Sequence, residues 1–416
     1  MNWLIGLGIT CLILSILTSV MYSYQMFYLI LPFFAKPKAL PKQGFHKYAI
    51  LIAARNEELV LPHLLDSIAN QDYPAEKLRI FVVADNCTDS TAAVAGAHGA
   101  TVFCRNNQNQ IGKGYALDYL LERIDTTEGL DSFDAFLVFD ADNLLQPDYI
   151  RSMDRVHSNG YQVFCGYRNT KNFGTNWLTS GYGLWYIHES THLNRSRMHI
   201  GTGCTVSGTG FGFSREVLLK TGGWKFFTLT EDLEFSAWCA TNGIKIGYCH
   251  DAVLYDEQPI TFRQSWRQRT RWAQGGIQMS LRYIARLLKG IFTGKGWVRF
   301  NCFETTSLSL FGFLFGMFCM LLTLLFILLA WGPMFFLQIS LLTFPLSYLG
   351  TVLMAALTLA LEWDRIRATK KEKIVSMLTF PFFMMTWLPI TLAAPFQKFG
   401  WPPIYHTVAT TAESLK

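Results

Sequence analysis

Charge is scarce in this chain: only 16% of its 416 residues are Asp, Glu, Lys or Arg, while half are hydrophobic, and soluble domains carry roughly 25% charged residues. The deficit is local. Residues 1–35, 305–361 and 374–397 contain no charged side chain at all, which speaks against a uniformly soluble globule and for a polar middle flanked by membrane segments. The nine cysteines show no CxxC pair and no Cys/His metal spacing, which speaks against a zinc or dithiol site and fits reduced cytoplasmic thiols. No GxGxxG follows any strand-like run, which speaks against a dinucleotide enzyme. The net charge of +6 sits largely in Lys and Arg beside the apolar runs, so no nucleic acid partner is indicated.

About 20 apolar residues cross the hydrocarbon core, so residues 1–35 accommodate one helix, with Lys36, Lys38, Lys42 and Lys47 directly behind it. A signal peptide carries a basic stretch before its apolar run, and this run has none, so an uncleaved anchor is expected. Trp331-Gly332-Pro333 interrupts residues 305–361 and predicts two antiparallel spans. Arg365, Arg367, Lys370, Lys371 and Lys373 mark residues 362–373 as a cytoplasmic loop. Residues 374–397 form a fourth span, with kinks at Pro381, Pro389 and Pro395. The expected organisation is an anchor at 1–35, a cytoplasmic α/β domain at 36–256, an amphipathic interface segment at 257–300, three transmembrane helices within 301–397 and a tail at 398–416. Such a chain is a multi-pass protein of the cell membrane, with the lipid bilayer as a partner.

The polar domain reads as a mostly parallel, Rossmann-like sheet. Tyr48-Ala-Ile-Leu-Ile-Ala-Ala54 is a nearly continuous apolar run, the pattern of a strand buried on both faces, and it ends in Arg55-Asn56-Glu57. Two more such runs, Leu78-Arg-Ile-Phe-Val-Val-Ala84 and Ala135-Phe-Leu-Val-Phe139, end at Asp85 and Asp140. Strands alternating with helical patterns imply right-handed crossovers, with ligands at the carboxyl ends of the strands. Asp and Asn also suit helix caps there. Asp89 and Ser90 read better as caps, whereas Asp85 and Asp140 directly follow buried strands and read as ligand contacts.

Asp140-Ala-Asp142 places two carboxylates one residue apart at a strand end, and such hard oxygen donors suit Mg²⁺ or Mn²⁺ held jointly with substrate phosphates. Asp232, in Thr230-Glu231-Asp232, could take a proton from an attacking hydroxyl, although a carboxylate near a helix N-terminus is also favoured by the dipole alone. Gln268, Arg271 and Trp272 lie at i, i+3 and i+4, on one side of a helix. Arg offers a fork for phosphate oxygens and Trp a flat face for a ring. Arg263, Arg267, Arg269, Arg282 and Arg286 give the same segment the look of a basic helix lying on a membrane surface.

With these residues assembled, the chain resembles the membrane-embedded synthases of glycosyltransferase family 2, the group of cellulose, hyaluronan, chitin and poly-N-acetylglucosamine synthases. The resemblance covers residues 48–275 and extends in layout to the flanking spans; the family's Asp-rich strand end, Asp-x-Asp, Thr/Ser-Glu-Asp and Gln-x-x-Arg-Trp occur here in order. It implies a GT-A fold and an inverting transfer from a UDP-sugar that requires a divalent cation. Carried over by position, Ala54, Glu57 and Asp85 line the uridine pocket, Lys113 lies in the basic loop near the nucleotide, Asp140 faces the nucleotide and Asp142 the metal. Asp232 is then the general base, and Gln268, Arg271 and Trp272 close over the diphosphate and acceptor site. Ser207-Gly-Thr-Gly210 sits where the family lines its acceptor site, a looser match.

The function expected first is a processive synthase that elongates and exports an extracellular or capsular polysaccharide. The alternative is a non-processive lipid glycosyltransferase resembling ceramide or diacylglycerol glucosyltransferases, which a short membrane bundle suits. The acceptor is accordingly a growing polysaccharide or a lipid, and a homo-oligomer would supply further helices around a polymer path.

Overall fold

The computed structural model describes residues 2–398. Residues 399–416, nearly all of the segment read as a C-terminal tail, lie outside the described residues.

Eight strands form one sheet: β1 Tyr48–Ala54, β2 Leu78–Asp85, β3 Thr101–Arg105, β4 Ala135–Asp140, β5 Leu144–Leu145, β6 Val163–Thr170, β7 Phe211–Ser214 and β8 Ile246–Asp256. Their order is β3-β2-β1-β4-β7-β6-β8-β5. The half from β3 to β4 is parallel, whereas β7 runs antiparallel to both β4 and β6, so the sheet is mixed. Alternation along the buried strands divides the interior in two. Ala49, Leu51, Phe81, Val83, Phe136 and Val138 face one apolar core; Ile50, Ile52, Val82, Leu137 and Phe139 face the other. This is why these strands read as continuous apolar runs.

Parallel registry aligns the strand ends that matter. Ala54 pairs with Ala84 and Ala53 with Asp140, so the chain after β1, β2 and β4 emerges at one edge of the sheet. The helix Glu231–Thr241 carries Asp232, and the 32-residue helix Phe262–Thr293 carries Gln268, Arg271 and Trp272. Thr261 caps the latter by accepting from the Gln264 backbone N–H.

Among the described residues three helices are long and apolar enough to cross a membrane: Trp3–Phe34, Leu310–Glu362 and Lys370–Phe396. The second breaks at Gly332, whose φ of 79° and ψ of 173° suit glycine and leave the helical region just before Pro333, so it consists of two arms. Trp3–Phe34 packs along this long element, and the helix Lys370–Met385 packs on both it and the helix Trp177–His188 of the polar domain. The helix Trp297–Ser307 lies between the sheet domain and the long apolar helices; its buried Glu304 accepts from Arg197 Nε at 2.8 Å.

Candidate active site

The turn after β4 is held by its own polar groups. The Asp140 N–H donates to Thr209 Oγ1 (2.9 Å) and Asn143 Oδ1 (3.1 Å), and Thr209 in turn bonds Asn143. Lys113, first residue of the helix Lys113–Thr127, donates to Asp140 Oδ1 at 2.5 Å and to the Gly208 carbonyl at 2.7 Å. Asp142 is buried, and its Oδ2 accepts from the Glu257 backbone N–H at 2.9 Å, which ties it to the end of β8. Asp85 is paired with Arg105 at 2.6 Å.

Asp232 sits in a loop-to-helix junction stapled by Glu234. That carboxylate accepts from the N–H groups of Phe227 and Thr228, each at 3.0 Å, and pairs with Arg282 at 2.7 Å. Burial lifts the carboxyl pKa of both Glu231 and Asp232, while Lys113 and Arg271 pull both down. Burial depresses the Arg271 guanidinium, which donates to the Leu229 carbonyl at 3.2 Å. The ring of Trp272 stacks on Trp387 at 6.1 Å between centroids and meets Tyr182 and Tyr186 edge-on. Gln268 Oε1 is buried without a hydrogen-bond donor, the kind of orphan atom that a ligand satisfies.

Two cavities meet here. A smaller one of about 170 Å³ has Ala54, Glu57, Asp85, Asp140 and Asp142 in its wall. A larger one of about 460 Å³ contains Asp232 and Trp272 and runs out to Leu308, Leu310 and Phe313, at the start of the long apolar element. Lys113, Asp140, Arg168, Gln268 and Arg271 border both. The residues singled out from the sequence thus converge on one region, divided between two chambers: Asp85 and Asp142 reach only the smaller, Asp232 and Trp272 only the larger.

Several participants were not singled out from the sequence. Arg168 on β6 donates to the Asp256 carboxylate and to the Ser207 carbonyl (2.7 Å), and its guanidinium lies 3.6 Å from the Tyr186 ring centre. An arginine inside a strand as buried as Val163–Thr170 was the available signal. Asp256 and Glu257, at and just after the end of β8, line the smaller cavity, and Glu189 and Trp387 line the larger.

The sequence model for glycosyltransferase like family 2 matches residues 46–275, more than half of the chain. The chain belongs to glycosyltransferase family 2. Among family relatives, the β-monoglucosyldiacylglycerol synthase of Nostoc sp. (strain PCC 7120) is 30% identical over 280 residues, covering 64% of this chain and 57% of that protein. The poly-β-1,6-N-acetyl-D-glucosamine synthase of Staphylococcus aureus (strain COL) is 25% identical over 244 residues, 58% of this chain and 57% of that protein. The chain therefore spans little more than half the length of each of these two relatives. The mannosyltransferase of Pyrobaculum calidifontis, solved in complex with GDP-Man and Mn²⁺, superposes with a TM-score of 0.50 at 14% identity, over 92% of this chain and 98% of that one. That likeness shows a shared fold.

Proposed function

We propose that this family 2 member is an inverting membrane glycosyltransferase that moves a sugar from a UDP-sugar to a hydroxyl of an acceptor reaching the site from the bilayer. The observation that carries the reading is the common wall of Lys113, Asp140, Arg168, Gln268 and Arg271, which joins a carboxylate-rich chamber at the strand ends to the chamber holding Asp232.

In this reading Ala54, Glu57 and Asp85 bind the uridine, and Lys113 and Arg271 lie where the diphosphate charge falls. Gln268 Oε1 would accept from a donor group of the bound substrate. Asp140, Asp142, Asp256 and Glu257 line the same chamber, a hard oxygen donor set that fits Mg²⁺ or Mn²⁺, with Asp142 the first ligand. Among the described residues no group of three or more His, Cys, Asp or Glu is placed to hold a metal ion by itself. When bound, such an ion neutralises charge on the departing diphosphate. Asp232 takes the acceptor's hydroxyl proton as that oxygen bonds to the anomeric carbon; the bond from that carbon to the diphosphate oxygen breaks and UDP leaves.

The larger cavity ends among Leu308, Leu310 and Phe313, which supports an acceptor with an apolar tail and hence transfer of a single sugar to a lipid. The Gln268, Arg271 and Trp272 cluster supports the second reading, a processive polysaccharide synthase. Lys36, Lys38, Arg365 and Arg367 beside the apolar helices support a multi-pass arrangement with the sheet domain in the cytoplasm. The test is UDP release by the purified full chain across a panel of UDP-sugars, followed by sizing of the radiolabelled product. A solvent-extractable glycolipid supports the first reading, long polymer supports the second, and no UDP release from any donor rejects both.

A further inference from the structure

One carboxylate of the larger cavity has no part in the steps above. Glu189 follows the helix Trp177–His188 and opens a π-helical turn, Glu189–Asn194; such widened turns recur at functional sites. Its Oε1 accepts from Ser207 Oγ at 2.6 Å. Burial pushes its carboxyl upward against the Ser207 hydrogen bond and the Arg197 and Arg168 charges, neither of which is within ion-pair distance of it. A half-buried carboxylate with one hydroxyl bonded to it and its cations beyond ion-pair distance keeps lone pairs that a further hydroxyl can satisfy.

Its surroundings place it on the acceptor side of the reaction. The Ser207 carbonyl accepts from Arg168, and the next carbonyl, of Gly208, accepts from Lys113. A Cβ at Gly208 would lie 3.7 Å from Asp232 Oδ2, so the Ser207-Gly208 strip runs directly from Glu189 to Asp232. Charge in the larger cavity is divided accordingly: Glu189, Glu231 and Asp232 belong to this chamber alone, while the cations Lys113, Arg168 and Arg271 stand, with Asp140, on the wall shared with the smaller one. An anionic acceptor head would meet like charge here, whereas a neutral head with hydroxyl donors would be welcomed.

From this geometry we propose that Glu189 binds the acceptor, receiving a hydrogen bond from a second hydroxyl beside the one that is glycosylated, so that the acceptor head is an uncharged polyol such as a sugar ring. The inference rests on the transferase reading and goes beyond it by naming a residue and the chemical class of the acceptor head.

The test uses the full chain in lipid nanodiscs, the UDP-sugar that supports turnover, and two acceptor probes: an alkyl glucoside and the same glucoside carrying a 6-phosphate. Glu189→Gln keeps an oxygen for Ser207 and removes the charge. Loss of a charged hydrogen bond is expected to raise the KM for the alkyl glucoside by about tenfold or more, while the KM for the UDP-sugar and acceptor-free hydrolysis stay unchanged. The variant is also expected to narrow the gap between the two probes, and wild type to prefer the uncharged one, a measurement that needs no variant to fold. Equal acceptor KM values in wild type and variant, parallel changes in donor and acceptor constants, or a wild type that prefers the phosphorylated glucoside would each overturn the proposal and leave the transferase reading intact. A wild type that releases no UDP from any UDP-sugar would sink both.

Discussion

Gly275 and Thr230 lie closer than any side chain at position 275 would allow: a Cβ there would stand 2.4 Å from Thr230 Oγ1 and 2.6 Å from the Thr230 backbone nitrogen. The helix bearing Gln268, Arg271 and Trp272 is thereby seated on the loop that presents Asp232, beside the Arg271–Leu229 and Arg282–Glu234 contacts that join the same two elements. Gly275→Ala is therefore expected to lower stability by about 1–3 kcal/mol through overpacking and to reduce turnover with it. At Gly276 an added Cβ meets nothing within 4 Å, so Gly276→Ala is expected to keep or raise Tm, since alanine favours a helix over glycine by about 1 kcal/mol. Thermal unfolding of the two variants side by side checks this; equal losses would mean that the close approach is unimportant.

Asp232 lies in the larger cavity beside Gly208 and within the influence of the Lys113 and Arg271 charges. Replacing it with Asn preserves its size and removes its basicity. Asp232→Asn is expected to cut transfer by about 10²- to 10⁴-fold while leaving UDP binding intact by calorimetry, because the residue does not line the smaller chamber. Near-normal turnover would reject its role as base.

How much of this was legible in the sequence follows from which contacts are local. Asp85 and Asp140 announce themselves because each ends an apolar run, and a strand buried on both faces cannot hide its polar stop. Arg168 and Asp256 do not, because their meeting depends on β6 pairing with β8 across 88 positions of sequence. The reversal at β7 is likewise invisible: Phe211–Ser214 is four residues long and has no pattern that separates parallel from antiparallel pairing. Trp387 reads as one more aromatic of a proline-broken apolar run, yet it stacks on Trp272.

The acid limb of the rate profile carries the sign of the Asp232 shift. Burial raises its carboxyl pKa, while Lys113 and Arg271 oppose the rise. A base works only when deprotonated, so kcat/KM is expected to fall below a midpoint lying above the ordinary Asp value of about 3.9. Arg271→Gln removes one of the opposing charges and is expected to move that limb to higher pH, in addition to any loss of rate. A folded pKa above the unfolded one also means that this group favours the fold at low pH and loses that contribution as pH rises through the folded value. A limb that stays in place in Arg271→Gln would detach it from Asp232.

Asp142 lines only the smaller chamber and is anchored there by the Glu257 N–H. Asp142→Asn keeps an oxygen for that bond and removes the charge. Calorimetric titration of UDP with and without Mn²⁺ is expected to show metal-dependent tightening in wild type, weakened by about tenfold or more in the variant, since a carboxylate is the stronger hard-metal ligand. An unchanged Mn²⁺ response would place the ion on other residues.

Trp272 separates binding of the donor from use of the acceptor. It borders the larger chamber and not the smaller, and its position is fixed by the stacked Trp387 and by the edges of Tyr182 and Tyr186. Because the ring holds a wall past which an acceptor must lie, Trp272→Ala is expected to lower transfer to acceptor more than it lowers acceptor-free hydrolysis of the UDP-sugar. Trp387→Ala, which removes the stacking partner and a smaller part of the same cavity wall, is expected to give the same pattern more weakly, by about fivefold, in line with about 1 kcal/mol for an aromatic pair. Losing Trp272 opens the chamber that Asp232 faces, so water gains access as the acceptor loses its contact, and the ratio of hydrolysis to transfer rises. Equal losses of both activities would instead mean that the ring only supports the packing of the helix Phe262–Thr293 against the apolar helices.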